Sequence, residues 1–546
     1  MKLLWLDLNC SYAHSSLALP ALHAQVADDP STEWAVVSAT INENAGLTAL
    51  QICRQQPDVV AATAWLFTHE ALLHILARVK ALLPHCFIVL GGPEFLGDNE
   101  RFLRTNSFVG CVFRGEGEEM FPRWLAAWNR PEDWGTVTGL CYLDKENRYQ
   151  DQGIARVTHF ARLAAPEGSA FFNWSKPFVQ LETTRGCFNT CAFCVSGGEK
   201  PVRTLSLDTV RQRLTMIHQH GIRNVRVLDR TFNYDNRRAR ALLSLFLEFY
   251  PDICFHLEIH PALLSDELKH ELSLLPQGLL HLEAGIQSLR EPVLAMSRRQ
   301  GKLNQALDGL QFLCSLPQME THADLIAGLP LYRLSEIFED IHTLAGYGTG
   351  EIQLELLKLL PGTEMRRRAE ELGIQYAPLP PYEVLQTREI SGDELQTARR
   401  LSRLLDGFYN EPAWQAVTRK LMLENASFLA DFLAEGVRTG LVDQPLSLER
   451  RGLVLYEFCL NHYPTYQTAV SVAWIEAGMS LKKRPAERVK TKKQVPPPQW
   501  DVAYGTYEEG LRLCFLPSGE GDGGFWFGLA SEEQQRKPVF KAESRS

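Results

Sequence analysis

The sequence predicts an α/β protein in three parts: a doubly wound parallel sheet, a partial barrel of six βα units, and a mainly helical C-terminal domain. Residues 1–130 and 176–385 both alternate strand-length apolar runs with amphipathic helices. Near-continuous apolar strands separated by helices are typical of parallel sheets covered on both faces. After about residue 385 the strand signals fade and helical periodicity takes over.

Length and composition narrow the class of protein. The chain has 546 residues, more than one ordinary domain, and its 45% hydrophobic content is normal for globular cores. A net charge of −9 argues against a nucleic-acid partner. The 12 cysteines show no regular disulfide spacing outside one motif, which is typical of a reducing compartment. With no signal peptide and no apolar run of membrane-spanning length, we expect a cytoplasmic protein without a membrane span.

The first domain, residues 1–130, is predicted to contain five strands. Helices are expected at residues 16–26 and 70–83. In doubly wound sheets, ligands bind beyond the carboxyl ends of the strands. The predicted strands cover residues 2–8, 34–38, 58–63, 87–90 and 109–113.

Small and polar residues gather at the carboxyl ends of these strands. Ser11 and Tyr12 follow the first strand, Thr63 ends the third, and glycine-containing loops follow the fourth and fifth. Glycine lets the backbone approach a ligand closely and adopt positive φ. The alternative is that each glycine only makes a tight turn, and for any single glycine this is the commoner case. The loop residues concerned are Gly91, Gly92, Glu94, Gly115 and Glu116.

A connector, residues 131–175, carries a short hairpin signal and leads into the second α/β domain, residues 176–385. This domain shows six βα units, and six units cannot close a barrel of eight. We therefore expect a partial barrel, with its chemistry at the carboxyl ends of the strands. The predicted strands cover residues 177–181, 224–228, 254–258, 279–283, 321–326 and 351–356.

Three cysteines, Cys187, Cys191 and Cys194, fall within eight residues just after the first strand of this domain. Thiolates are soft ligands that suit iron–sulfur clusters and zinc. Ordinary cubane clusters use four cysteines, so three would leave one iron open to a small ligand. The alternatives are a zinc knuckle or three unrelated thiols, but structural zinc needs a fourth ligand and no suitable pair follows.

The spacing of these cysteines, with Phe193 just before the third, resembles the radical S-adenosylmethionine (SAM) superfamily. The resemblance implies a 4Fe–4S cluster on the three cysteines, SAM chelated to the open iron, and Phe193 near the adenine. It also implies further SAM contacts at the strand ends of the barrel. These are Asp229, Glu258, Gln287, Ser288 and Gly328, where Asp229 occupies the place of the family's Gly-Gly-Glu segment.

The first domain resembles the cobalamin-binding domain found upstream of many radical SAM domains. The resemblance implies cobalamin contacts at Ser11, Tyr12, Thr63, Gly91, Gly92, Glu94, Gly115 and Glu116. Many cobalamin domains carry Asp-x-His-x-x-Gly, whose histidine ligates cobalt, and this domain lacks it. His14 lies in the right loop without the flanking Asp and Gly. Cobalamin bound without a histidine ligand and no cobalamin at all both stay open.

The last third of the chain is predicted to be helical over residues 386–480. Residues 229–233, 353–358 and 381–384 resemble an uncharacterised subfamily that ends in a helical domain of unknown function. Residues 481–546 are predicted to be a basic and proline-rich linker followed by a disordered tail from residue 531.

Taken with these resemblances, the sequence predicts a cobalamin-dependent radical SAM enzyme that methylates an unactivated carbon. The substrate is an unknown small molecule, lipid or peptide, and the electron donor is expected to be a flavodoxin or ferredoxin. Two alternatives stay open: a radical rearrangement or cyclisation without methyl transfer, and a non-catalytic sensor that binds corrinoid or cluster.

Overall fold

The computed structural model describes residues 1–14, 16–27, 29–480, 511–517, 524–530 and 538–544. They form two compact units: Met1–Arg333 with Leu356–Leu395, and Leu334–Glu355 with the described residues from Gln396 onward. The first unit holds the first sheet and five strands of the second. The predicted domain boundaries divide the chain differently and stay predictions.

The first sheet has seven strands: β1 Lys2–Asn9, β2 Glu33–Thr40, β3 Val59–Thr63, β4 Phe87–Gly91, β5 Cys111–Phe113, β6 Leu140–Leu143 and β7 Tyr149–Asp151. Their order is β2-β1-β3-β4-β5-β6-β7. Strands β1 to β5 are parallel, which confirms the predicted doubly wound sheet. The order changes direction at β1, and ligands of such sheets bind at the carboxyl ends beside this point.

Alternate residues of β1 enter two different cores. Leu4 and Leu6 belong to one buried cluster, while Leu3 and Trp5 belong to the other. Because both faces of the strand are covered, its sequence is a continuous apolar run rather than an alternating one. The predicted hairpin is β6–β7, which runs antiparallel and extends the sheet beyond the five predicted strands.

The second domain supplies β8 Val179–Leu181, β9 Thr184–Arg185, β10 Arg203–Thr204, β11 Asn224–Val227, β12 Cys254–Ile259, β13 Leu280–Gln287, β14 Glu320–Ala327 and β15 Glu351–Leu356. Within the first unit, β8, β11, β12, β13 and β14 lie in that order and are parallel. All six predicted βα strands are therefore found, the sixth being β15. Two short antiparallel pairs accompany them: β9 with β10, and β16 Gln375–Tyr376 with β17 Val384–Gln386.

Helices of the described residues cover the sheets and make up most of the second unit. Two of the helices begin at serine residues whose hydrogen bonds satisfy the first helical turn. Ser206 accepts from the Thr209 amide, and the Ser391 amide donates to Glu394 at 2.9 Å. The helices are α1 Ala18–Ala24, α2 Ala45–Arg54, α3 His69–Leu82, α4 Glu100–Thr105, α5 Phe121–Ala126, α6 Leu207–Gln219, α7 Asn236–Leu247, α8 Asp266–Leu274, α9 Glu291–Met296, α10 Leu303–Cys314, α11 Leu334–Tyr347, α12 Glu364–Arg367, α13 Ala369–Leu372, α14 Gly392–Leu404, α15 Gln415–Glu424, α16 Phe428–Arg438, α17 Leu448–His462 and α18 Gln467–Glu476.

The second unit is mainly helical, as predicted, but it also contains an antiparallel sheet that the prediction missed. Its strands are β18 Leu511–Pro517, β19 Gly524–Ala530 and β20 Pro538–Ser544, in that order. The predicted disorder of residues 531–546 is wrong for Pro538–Ser544. The apolar runs at 511–516 and 525–529 are the overlooked signal. The predicted basic and proline-rich stretch, residues 481–498, lies outside the described residues.

No helix in the described part of the chain combines the length and apolar character that a bilayer crossing requires.

Candidate cofactor site

The three cysteines lie on one closed loop, residues 186–202, which we call the cluster loop. Its ends are joined by the β9–β10 ladder, in which Arg185 lies opposite Arg203. Inside the loop, the Cys187 amide donates to the Glu199 carbonyl at 3.1 Å. A Cβ on Gly197 would lie 2.3 Å from the Cys191 carbonyl oxygen, so glycine is required for this tight fold.

Burial and positive charge act in opposite directions on the cysteine thiols. Burial raises the pKa of Cys191, and Arg299 opposes it by placing Nη1 3.7 Å from the Cys191 Sγ. Burial likewise raises the pKa of Cys194, while the Ser196 amide and Arg230 lower it. Arginine beside a thiol favours the thiolate, the form that binds metal. The cysteines of this loop thus suit a metal-containing group, because metal binding favours the thiolate and so completes their deprotonation.

Among the described residues, no group of three His, Cys, Asp or Glu side chains converges on a point where one metal ion could sit. Each cysteine ligand of a cubane cluster binds a different iron, so the three thiols need not converge on one point as the ligands of a single metal ion do.

A cavity of about 190 Å³ opens between the cluster loop and the carboxyl ends of β11 to β14. The predicted residues Phe193, Glu258 and Gln287 line it together with the three cysteines. Further lining residues were not among the predicted SAM contacts. They are Asn189, Gly197, Arg230, Thr231, Ile259, His260, Glu283, Gly285, Arg299 and Asp324.

Three carboxyl groups on neighbouring strands face this cavity. Burial raises the pKa of Glu258, and burial with the nearby Glu283 charge raises that of Asp324 well above its usual range. The pKa of Glu283 is lowered instead, because His256 Nε2 lies 2.9 Å from its carboxylate. Asp324 Oδ1 is buried without a hydrogen-bond partner within the protein. Buried polar atoms are rarely left unpaired, so a ligand with a hydrogen-bond donor fits here.

His260 lines the cavity as a neutral side chain. It is only 5% exposed, and burial together with Arg299 lowers its pKa to about 4. Its Nε2 lies 3.0 Å from the Gln300 carbonyl, while its Nδ1 is buried without a partner. A neutral imidazole can offer one donor and one acceptor without adding charge.

Three of the predicted SAM residues lie outside the cavity lining. Asp229 is 1% exposed and accepts from the amides of Thr183 and Thr184, both at 2.8 Å, so it braces the turn before the cluster loop. Ser288 is fully buried just beyond the cavity residue Gln287. Gly328 packs against Leu357, Val384 and Leu395.

The first sheet presents exposed aromatic side chains at the carboxyl ends of β1 and β3. Tyr12 is 73% exposed, Trp65 41% and Phe67 57%. Exposed large apolar side chains grouped at a ligand-binding edge indicate a binding surface. We call these three residues the aromatic edge, and a flat macrocycle such as a corrin fits against such rings.

The remaining predicted cobalamin residues have other neighbours. Ser11 Oγ lies 2.7 Å from His14 Nδ1, and Thr63 is buried at the end of β3. A Cβ on Gly92 would lie 2.7 Å from the Ala64 carbonyl, and one on Gly115 would lie 2.2 Å from the Ala155 carbonyl. These glycines are needed for packing within the protein, and the neighbouring Gly91 pairs with Thr63 inside the sheet.

The two predicted acidic cobalamin contacts are committed to other side chains. Glu94 is buried and accepts a 2.8 Å hydrogen bond from the Tyr382 hydroxyl. Glu116 binds the Arg203 guanidinium with both oxygens, each at 2.6 Å. Because these carboxylates already have partners, the sequence-based expectation that they face cobalamin finds no support in their geometry.

The sequence places His260 and Asp324 among the polar residues at the strand ends, but it does not identify Arg299. A strand pattern does not say which of its polar side chains turns toward the cavity. Arg299 follows a short helix, and no local pattern marks it as a neighbour of Cys191.

Family models match three stretches of the chain. They are "B12 binding domain" over residues 12–125, "Radical SAM superfamily" over 181–344 and "Protein of unknown function (DUF4080)" over 370–459. The chain thus combines a B12 binding domain, a radical SAM domain and a C-terminal domain of unknown function, in the order that the sequence predicted. A 4Fe–4S cluster, SAM and cobalamin are the cofactors that belong to these domains.

Curated relatives match parts of the chain. An uncharacterized methyltransferase of Pyrococcus horikoshii is 26% identical over 191 residues, which are 34% of this chain and 42% of the relative. The cobalamin-dependent radical SAM methyltransferase TokK of Streptomyces tokunonensis is 20% identical over 348 residues, which are 60% of this chain and 51% of TokK. The chain therefore spans about half the length of these relatives.

Two solved structures share the fold over most of the chain. The radical SAM methyltransferase TsrM of Kitasatospora setae, with tryptophan and a SAM analogue bound, has a TM-score of 0.58 at 15% identity. It covers 71% of this chain and 80% of its own. The cobalamin-dependent SAM radical enzyme OxsB, with aqua-cobalamin and SAM bound, has a TM-score of 0.62 at 13% identity. The match covers 89% of this chain and 82% of the OxsB chain.

Proposed function

We propose that this protein is an enzyme that uses SAM and cobalamin to methylate an unactivated carbon of an unidentified substrate. When bound, the cluster supplies the electron that cleaves SAM, and cobalamin supplies methyl transfer. The protein binds, orients and shields the reacting groups, because the cofactors carry the difficult chemistry.

The observation that carries the proposal is a segment, residues 357–365, that contacts both predicted cofactor regions. Lys358 Nζ lies 5.6 Å from the centre of the Phe67 ring on the aromatic edge. Gly362 packs on the Leu96 backbone after β4, and the Met365 amide donates to the Ala192 carbonyl in the cluster loop at 2.8 Å. Joint use of both cofactors requires the two regions to lie close together, and a segment in contact with both supports that arrangement.

Within the cavity, different side chains suit different parts of the cluster and SAM. The three cysteines hold the cluster, and the buried carboxyls Glu258 and Asp324 offer acceptors suited to the ammonium and ribose hydroxyls of SAM. Arg299 offers a cation suited to its carboxylate. Phe193 lines the same cavity and offers an apolar ring for the adenine.

The substrate belongs to the class of small molecules, lipids or peptides, and the electron donor is a flavodoxin- or ferredoxin-type protein. The relatives named as methyltransferases support methyl transfer. A radical rearrangement or cyclisation without methyl transfer is the competing outcome.

The test is anaerobic incubation of reconstituted protein with SAM, hydroxocobalamin and a low-potential reductant. Methyl transfer predicts S-adenosylhomocysteine together with 5′-deoxyadenosine, and a deuterated methyl group of SAM should appear on the recovered corrinoid. Formation of 5′-deoxyadenosine without S-adenosylhomocysteine would favour a radical reaction without methyl transfer. If the protein binds iron and corrinoid but forms neither product, the result would contradict an enzymatic role and favour a sensor.

A further inference from the structure

The cluster loop has a charged base. Arg185 ends β9 just before the loop and Arg203 begins β10 just after it, so the two arginines mark the two ends. Their side chains are only 14% and 17% exposed. Both guanidinium groups lie against acidic residues of the loop that follows β5 in the first domain.

Glu116 holds the far end of the cluster loop. Both of its carboxylate oxygens accept from Arg203 at 2.6 Å, in the paired geometry that is strongest for arginine. The same carboxylate accepts from the Val157 amide at 2.5 Å, and Arg203 donates to the Val157 carbonyl at 2.7 Å. The pKa of Glu116 is lowered, because these hydrogen bonds outweigh its burial.

Glu118 holds the near end. Its carboxylate lies 2.8 Å from Arg185 Nη1, and its side chain is 10% exposed. The other side of the same guanidinium binds Glu182, with Nη2 2.6 Å from that carboxylate. Arg185 also lies over the Phe160 ring, 4.9 Å from its centre, which restricts its movement.

We propose that Glu116 and Glu118 form a clamp that fixes the cluster loop relative to the aromatic edge of the same domain. The clamp makes them positioning residues for methyl transfer, in place of the cobalamin contacts that the sequence suggested. This inference rests on the proposed function, because it concerns the spacing of its two cofactors.

The two carboxylates act on one short ladder. Arg185 and Arg203 are neighbours across β9 and β10, so the pairs with Glu118 and Glu116 together hold this ladder against the loop that follows β5. The pairs are largely removed from water, so moving the loop would leave charges buried without partners. A third pair, Arg156 with Glu199 at 2.8 Å, joins the C-terminal part of the cluster loop to the connector, residues 131–175.

The test compares Glu116→Gln and Glu118→Gln with the wild type after reconstitution with iron, sulfide and hydroxocobalamin. Pulsed electron paramagnetic resonance measures the distance between cob(II)alamin and the reduced cluster, a readout independent of turnover. We expect a narrow distance distribution in the wild type and a broadened or shifted one in each variant. Glu100→Gln, which breaks the exposed pair with Arg104 in the same domain, is the matched control and should change nothing.

Product analysis gives the second readout. Cleavage of SAM needs only the cluster, whereas methyl transfer needs SAM near cobalt. We expect the ratio of S-adenosylhomocysteine to 5′-deoxyadenosine to fall about tenfold or more in the variants, since small misplacements of reacting groups have effects of this size. Iron and corrinoid contents should stay at the wild-type level.

Unchanged distances and product ratios in both variants would overturn the clamp. If the single variants lose iron, the exchanged pair Glu116→Arg with Arg203→Glu is measured, and a restored distance supports the clamp. Continued loss of iron or an altered distance in that pair contradicts it. A wild type that takes up no corrinoid would overturn the proposed function as well, whereas an active wild type with indistinguishable variants overturns the clamp alone.

Discussion

At Cys191, burial disfavours the thiolate while Arg299 favours it, and the balance matters for cluster assembly. Burial raises the pKa of this thiol, and the guanidinium beside it partly reverses the shift. Cluster binding then completes the deprotonation, because metals bind the thiolate.

Cys191→Ala should abolish the cluster. We expect the iron content of reconstituted protein to fall from about four per chain toward zero, since two cysteines cannot hold a cubane. Iron analysis and the visible absorbance of the cluster measure this. Cys314→Ser, on α10 outside the cluster loop, is the control, and equal iron loss in both variants would contradict the assignment.

His260 should make stability depend on pH on the acid side. Its pKa in the folded protein is about 4, against about 6.5 in an unfolded chain, so the unfolded state binds the proton first as the pH falls. The stabilisation is therefore complete above about pH 6.5 and is lost progressively toward pH 4, by about 3 kcal/mol.

We expect His260→Gln to lose less stability than the wild type between pH 6.5 and 4.5. Thermal unfolding of the apoprotein across this range measures it. His218→Gln, at an exposed histidine paired with Asp252, is the control and should keep the wild-type slope. A variant slope equal to that of the wild type would show that His260 does not titrate in this way.

The site residues show what sequence can and cannot supply at this scale. The cysteines were predictable because their chemistry and spacing are local, and Glu258 and Gln287 were predictable because they end strands. Asp229 and Glu94 were placed correctly at strand ends, yet their side chains turn to Thr183 and Tyr382. Side-chain direction depends on partners distant in sequence, which a single strand pattern does not contain.

At the scale of elements, the loops after β1 and β3 place three aromatic side chains at one edge of the sheet. Their exposure costs nothing when a macrocycle covers them, because apolar area leaves water on binding. Neither loop carries the Asp-x-His-x-x-Gly motif of many cobalamin domains, and we propose that the aromatic edge contributes to corrinoid binding.

Trp65→Ala should weaken corrinoid binding. Covering about 100 Å² of the ring is worth about 2 kcal/mol, so the Kd for hydroxocobalamin should rise at least tenfold. Absorbance titration of the apoprotein measures this. Leu82→Ala, at a 54% exposed residue on α3, is the control, and an unchanged Kd in Trp65→Ala would contradict the role of the aromatic edge.

The elements themselves were largely predictable. Continuous apolar runs such as residues 59–63 identify buried parallel strands because both faces are covered. The strands β18 to β20 were missed because the charged, proline-rich stretch before them suggested a linker that continues to the end. Composition alone thus concealed two short apolar runs, residues 511–516 and 525–529.

At the scale of the whole molecule, a few pairs distant in sequence hold the first sheet against the segment after β15. Glu94 and Tyr382 are 288 positions apart, and their hydrogen bond is buried. Arg366 lies over the Tyr382 ring, 4.3 Å from its centre, and also lowers the pKa of Glu94 against the raising effect of burial.

Tyr382→Phe should lower the free energy of unfolding by about 1–3 kcal/mol, because Glu94 stays buried after losing a donor. Denaturant unfolding of the apoprotein measures the change. Tyr376→Phe, in the strand paired with β17, is the control and should stay within about 0.5 kcal/mol. Equal effects of the two substitutions would show that the buried hydrogen bond is not the cause.

The closed base of the cluster loop has a consequence for how the holoprotein is made. Because the β9–β10 ladder already joins the loop's ends, and the arginine pairs hold that ladder to the loop after β5, the cluster is not the cross-link that folds this part of the chain. Its cysteines enclose only a short piece of backbone, so the cluster adds little to the loss of chain entropy. After removal of the cluster, the apoprotein should therefore keep its secondary structure and bind a new cluster on reconstitution.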